Sequence, residues 1–258
     1  MKSQMIYRAG GLACALASLV FALPAAAKPI AFARGTTLMA EYGGGSMFET
    51  QAFYAPKYFY SAGVSALRFD ADESWRTQTQ ARVNYLAKRW NAPKSQANVF
   101  VYAGLGSAHN SVGQSGFASS FGVQADYETR WLYTSARSDL NVGLGQRIRV
   151  DTVQIGVAPY AHDYKSVATF FLLQARDLHG SLPGATASLP SSSTSSSSLP
   201  SSSTSSSSVP SSSTSSFSVP IYRGVEWAAL LRVFKGNTWL EAGITQDRTL
   251  QAMLMFNF

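Results

Sequence analysis

Along much of the chain, apolar and polar residues alternate one by one. In residues 75–85, Trp75, Thr77, Thr79, Ala81, Val83 and Tyr85 share one parity, and Arg76, Gln78, Gln80, Arg82 and Asn84 share the other. In residues 117–131, Phe117, Phe121, Val123, Tyr127 and Trp131 alternate with Gln124, Asp126, Glu128 and Arg130. The last stretch, LQAMLMFNF, sets Leu250, Ala252, Leu254, Phe256 and Phe258 against Gln251, Met253, Met255 and Asn257. A period of two is strand geometry, because successive side chains leave opposite faces. Weaker alternation marks 37–43, 47–54, 58–69, 97–106, 131–137, 151–160, 166–176, 224–234 and 238–246. No stripe at i, i+3, i+4 persists for more than about two turns. The pattern predicts an all-β, antiparallel chain of about twelve strands. Ten or eight remain as alternatives, because the first two candidates are short and flank the Gly-rich 43–46.

The connections have their own rhythm. Links after even-numbered strands read as tight turns at 55–57, 91–96, 128–130, 162–165 and 235–237, rich in Gly, Pro, Asn and Asp. Links after odd-numbered strands read as longer, at 106–116, 138–150 and 177–222. Residues 189–218 are three decamers, LPSSSTSSSS, LPSSSTSSSS and VPSSSTSSFS. Each holds one aliphatic residue and cannot build a core, so the 184–220 stretch reads as a disordered low-complexity loop inserted between strands.

The start of the chain changes the picture. Lys2 and Arg8 precede an apolar run over 9–23, and Ala25 and Ala27 fit a small-residue cleavage site. Residues 1–27 therefore read as a cleaved signal peptide, and 28–258 as a single exported domain. The one cysteine, Cys14, lies in that leader, so the mature chain would carry no disulfide, thiolate metal site or thiol nucleophile. The formal charge of +7 falls to about +5 without the leader. Charged residues make up 14% of the chain, against about 25% in typical soluble domains. Aromatics are plentiful, with 15 Phe, 12 Tyr and 5 Trp. No segment beyond the leader is apolar over the ~20 residues that a membrane helix needs. Two classes fit: a soluble periplasmic all-β protein, and a barrel that crosses a membrane with alternating strands.

The two ends favour the second class. A leader, a cysteine-free mature chain, about a dozen amphipathic strands, and a last strand with Leu250, Ala252, Leu254, Phe256 and Phe258 at every second place occur together. This combination resembles the Gram-negative outer-membrane β-barrel proteins, whose final strand typically closes on Phe or Trp. The resemblance implies a closed antiparallel up-and-down transmembrane barrel in the outer membrane. It implies that the barrel assembly machinery reads Leu254, Phe256 and Phe258, and that outer-membrane lipid and lipopolysaccharide are the surroundings.

On that reading the polar parity faces a lumen, lined by Arg76, Gln78, Gln80, Arg82, Gln124, Asp126, Glu128, Arg130, Gln174, Arg176, Glu226 and Arg232. Rows of charge bias which ions pass a pore, and the Arg excess in this set points to a porin-like channel for small solutes with slight anion preference. Arg and Glu pairs that plug the lumen point instead to a closed barrel with a structural or surface-interaction role. Trp75, Trp131, Trp227 and Trp239 fall near strand ends, where aromatic girdles belong. A lipid-modifying enzyme is the third class. His109 lies beside Asn110 and Ser111, but no orienting group is legible, so the chain reads as no enzyme. No cofactor, metal or nucleic-acid site is legible either; Met253 and Met255 read as gap-filling residues. The oligomeric state is open.

Overall fold

The computed structural model describes residues 35–71, 74–162, 166–183, 218–220 and 224–258. The leader and the serine decamers up to residue 217 lie outside the described residues. Those residues form strands β1 (Gly35–Gly43), β2 (Met47–Lys57), β3 (Tyr60–Ala71), β4 (Ser74–Ala92), β5 (Ser95–Asn110), β6 (Ser115–Thr129) and β7 (Leu132–Gly143). They continue with β8 (Gln146–Val157), β9 (Ala168–Pro183), β10 (Ser218–Pro220), β11 (Val225–Lys235), β12 (Thr238–Thr245) and β13 (Leu250–Asn257). No helix occurs among the described residues.

Each strand pairs antiparallel with the next in sequence, except that β9 passes over β10 to pair with β11. The three-residue β10 adds only to the far end of β9, with Ser218 opposite Pro183. The remaining twelve strands form a closed ring. Its seam is β1 against β13, from Thr37 opposite Asn257 to Gly43 opposite Gln251. Beyond that register the Thr36 amide donates to Phe258 O at 3.0 Å, and the Phe258 amide donates to Thr36 O at 2.8 Å. Closure leaves the barrel without an unpaired edge.

All twelve strands expected from the alternation are present, several longer than the pattern suggested. β4 passes Tyr85 through a register shift between Leu86 and Lys88 and ends at Ala92. That bulge hides the parity, so the sequence alone gave no reason to extend the strand. The expected long links at 106–116 and 138–150 are mostly strand. β5 and β6 run to Asn110 and from Ser115, and β7 and β8 meet across Leu144 and Gly145. Both of these turn residues have positive φ, 56° and 75°, as a type I′ hairpin requires. Likewise 55–57 lies within β2, and the chain reverses at Tyr58 and Phe59. The expected contrast between short and long links therefore does not hold at these positions, because paired strand replaces loop.

Parity decides which side each residue takes. Outside are Val64, Val83, Leu105, Phe117, Phe121, Val153, Ile155, Phe171, Leu173, Leu231, Leu240 and Ile244, all exposed. Inside are Glu49, Arg76, Gln78, Arg82, Asn98, Gln174, Arg176, Arg232 and Glu241, all buried. Large apolar residues thus stand exposed around the outside, as they do not in a typical water-soluble globule, while the interior combines buried charges and amides with two apolar clusters.

Candidate functional site in the lumen

The lumen has three zones along the barrel axis. The first, at the β7–β8 hairpin and the C-terminal part of β9, is sealed. Phe69, Ile148 and Leu182 are each 0% exposed and pack with Met47, Val150 and Leu178. Arg76, also 0% exposed, spans the gap beside them. Its Nη1 donates to Gly143 O at 3.3 Å and Gln146 O at 3.4 Å, and its Nη2 donates to Gln78 Oε1 at 2.9 Å and Asn141 O at 3.3 Å. The seal thus satisfies a cation largely with main-chain carbonyls of the β7–β8 hairpin.

The second zone is a waist of ion pairs. Glu49 on β2 accepts from Arg82 on β4 and Arg137 on β7, both at 3.2 Å. Arg137 also pairs with Asp139 at 2.5 Å and approaches Glu41 on β1 at 3.7 Å. Glu41 in turn takes Arg176 on β9 at 2.5 Å. The Tyr102 hydroxyl accepts from Arg137 Nε at 3.0 Å and donates to Asp139 Oδ1. The strand between them leaves space for this reach. Gly122 sits opposite both residues, and a Cβ there would lie 2.1 Å from the Tyr102 ring. Charges drawn from β1, β2, β4, β7 and β9 therefore meet across the bore. A buried pair of this kind returns its desolvation only when each oxygen and N–H finds a partner, and Glu41 and Glu49 each engage two guanidiniums. Between waist and seal is a void of about 20 Å³, room for about one water.

The third zone is a cavity of about 210 Å³ on the other side of the waist. Arg232 on β11 stands in its wall, held by Glu241 at 2.7 Å and by Gln154 Oε1 at 2.8 Å. The guanidinium lies 4.0 Å from the Tyr133 ring centroid and 4.1 Å from that of Trp239. Gln154 donates onward to Gln174 Oε1 at 2.7 Å and Glu241 Oε1 at 3.0 Å. Phe53, Phe100, Met253 and Met255 complete an apolar lining.

Most residues expected in the lumen are inside it. Arg76, Gln78, Gln80, Arg82, Asp126, Gln174, Arg176 and Arg232 are buried, and Gln124 lines the cavity. Glu128 is half-buried, 3.7 Å from His162 Nε2, and Glu226 is half-buried beside Gly44. Arg130 departs from the expectation. β6 ends at Thr129, so Arg130 falls in the tight turn and is exposed. Trp239 departs too: it faces inward at 3% exposure, while Trp131 and Trp227 are exposed on the outside. Met253 and Met255 are half-buried on the inner face, and Phe256 and Phe258 stack outside with ring centroids 6.4 Å apart.

The sequence reading missed Glu41, Glu49, Tyr102, Arg137, Asp139 and Glu241, which make most of the waist and its link to Arg232. A signal existed, since each is a polar group on the parity opposite exposed apolar neighbours. Their mutual contacts could not be read, because they come from strands far apart in sequence. With them counted, the inward carboxylates Glu41, Glu49, Asp126, Glu128, Asp139, Glu226 and Glu241 offset the inward Arg76, Arg82, Arg89, Arg137, Arg176 and Arg232 among the described residues.

The surroundings of His109 also differ from its sequence neighbourhood. His109 Nδ1 lies 2.8 Å from Ser115 Oγ rather than at Ser111, on the exposed side, with its ring 5.5 Å from that of Trp75. Among the described residues, no group of three or more His, Cys, Asp or Glu gathers in metal-binding geometry. No protein-family model matches the chain, and no curated protein is significantly similar to it.

Proposed function

We propose that the chain is an integral outer-membrane β-barrel whose bore is closed by its own side chains. The observation that carries this reading is the inversion of the wall, with large apolar residues exposed around the outside and paired charges within. Water would penalise an exposed apolar area of this extent, whereas lipid would accept it. Lipid offers no partner to backbone N–H and C=O groups, and the closed ring leaves none exposed along an edge. A soluble ligand-carrying barrel would place the apolar parity inside instead.

Single-Trp variants in vesicles of brominated lipid test this directly. Trp227, outward and exposed, should be quenched strongly, and Trp239, inside the bore, only weakly. Equal weak quenching of both in a folded, heat-modifiable barrel would sink the membrane reading.

A second reading, the porin-like solute channel, draws on one observation. The waist consists of side chains from the wall itself, and ion pairs can part without refolding a strand. The inward carboxylates remove the Arg excess that suggested an anion preference. Planar bilayers separate the two readings. A closed barrel stays silent, while a gated pore gives discrete conductance steps with little charge selectivity. No catalytic step is proposed.

A further inference from the structure

We propose that one rim of the barrel is a docking surface for the headgroups of anionic phospholipids. The proposal rests on the membrane reading above and adds which lipid the wall gathers, and at which end.

The two rims differ in exposed charge. At the rim that holds the β2–β3, β4–β5 and β6–β7 turns, Lys57, Lys88, Lys94, Arg130 and Lys235 are exposed. None of these is ion-paired among the described residues. The carboxylates of β6 at this end turn inward: Asp126 is buried, and Glu128 is half-buried beside His162. Toward the other rim the two signs mix. Arg68 pairs with Asp70 and Arg149 with Asp151, both at 2.7 Å, and the exposed Asp247 and Arg248 are neighbours in one turn. Cations that stand unpaired at one end only are the electrostatic complement of an anionic surface.

The order of residues along the wall identifies that surface. Toward this rim, Tyr54 is followed by Lys57 on β2, Tyr85 by Lys88 on β4, and Tyr127 by Arg130 at the end of β6, all exposed. Behind them lie the exposed Val64, Val83 and Val123. Apolar wall, amphipathic ring, then cation is the order in which a bilayer presents hydrocarbon, interface and phosphate. The bulge in β4 contributes to it. Without the register shift between Leu86 and Lys88, Lys88 and Trp90 would share the inward parity of Arg82 and Asn84; with it, both are exposed. Trp90 and Tyr127 then sit opposite Ala97 from its two sides. Lys57 Nζ lies 5.8 Å from the Phe59 ring centroid and Lys88 Nζ 5.9 Å from that of Trp90, so the ammonium groups stand beside the rings. Strands β2 to β7 follow one another round the ring, so their three turns form one continuous arc. An acidic protein would match the charge of this arc but gives no reason for the layering.

Single-Trp chains place a probe at each rim. Trp131 lies beside Arg130, and Trp227 lies on β11 toward the other rim; both are exposed. Each full-length chain, with its other tryptophans replaced by Phe, is folded into vesicles of equal phosphatidylcholine and phosphatidylglycerol, with bromine on one lipid or the other. At Trp131 the quenching should report phosphatidylglycerol enriched about 3-fold over phosphatidylcholine at low salt. The excess should vanish near about 1 M salt, where charges are screened within a few ångströms. At Trp227 the two lipids should quench alike. Lys57→Gln, Lys88→Gln, Lys94→Gln and Arg130→Gln combined should remove the excess at Trp131 in a barrel that keeps its heat-dependent gel shift. Equal quenching of Trp131 by the two lipids overturns the proposal while leaving the membrane reading intact, and would hand the cations to an acidic protein. An excess of the same size at Trp227 overturns the assignment to one rim. No quenching at either site by either lipid sinks the membrane reading and this proposal with it. If a single-Trp chain fails to fold, the wild-type chain decides: no phosphatidylglycerol excess, or one that the Gln variant retains, overturns the proposal.

Discussion

The two halves of the bore solve one problem in different ways. At the sealed end, Arg76 is satisfied by three backbone carbonyls and the Gln78 amide, amid Phe69, Ile148 and Leu182. Across the waist and into the cavity, Arg82, Arg137, Arg176 and Arg232 are each ion-paired with a carboxylate from another strand. The first arrangement draws its backbone acceptors from one hairpin, β7–β8. In the second, the carboxylates Glu41 and Glu49 link guanidiniums on β4, β7 and β9 across the bore, while Arg232 pairs with Glu241 on the adjacent strand. The contrast separates a plug that can be removed without stranding a charge from one that cannot.

The largest effect should follow from Arg137→Ala. Removing that guanidinium leaves Glu49, Asp139 and Glu41 short of a partner, and breaking a buried pair costs about 3–5 kcal/mol. The urea midpoint of the folded gel band should fall accordingly. Arg76→Met should be milder, about 1–2 kcal/mol, since carbonyls and an amide lose a donor but no carboxylate is orphaned. Equal losses for the two variants would collapse the distinction between local and cross-bore plugs. Leu144→Gly should have the smallest effect, with the opposite sign. Leu144 holds φ at 56° in the hairpin that feeds the seal, and Gly removes that strain at some entropic cost, for a net gain under about 1 kcal/mol. A loss of stability there would mean that the leucine side chain, 3.1 Å from the Cβ position of Gly116, packs usefully.

The strands were legible because one face of each meets a different medium from the other, and that difference writes itself as a period of two. Where it weakens, legibility fails. Leu86 to Lys88 bulges, so the continuation to Ala92 was hidden. Residues 106–110 are small and polar and read as loop, yet they pair with Arg76 to Gln80 on β4. At Leu144 a leucine occupies a backbone conformation that usually signals Gly or Asn, which masked the tight hairpin. Inside the bore, parity identified Arg82 and Arg232 as inward but not what they hold. Glu49 meets Arg137 at a separation of 88 residues, and Arg176 meets Glu41 at 135. Such pairings depend on strand count and stagger, which no local pattern records. Trp239 shows the same limit: its place near a strand end suggested a girdle, while the parity of β12 put it inside.

The seam between β1 and β13 also has a kinetic meaning. Thr37 and Asn257, bonded there at 3.2 Å, lie 220 residues apart. Closing the ring needs the most distant contacts in the chain, so this topology has a high contact order and is intrinsically slow to complete. Until the seam forms, the growing sheet has two open edges able to template pairing with other chains. A nascent chain cannot shelter those edges by itself, because the strand that covers β1 is synthesised last. Closure of the ring therefore waits for the last strand, and a chain still open at the seam presents two strand edges to its neighbours.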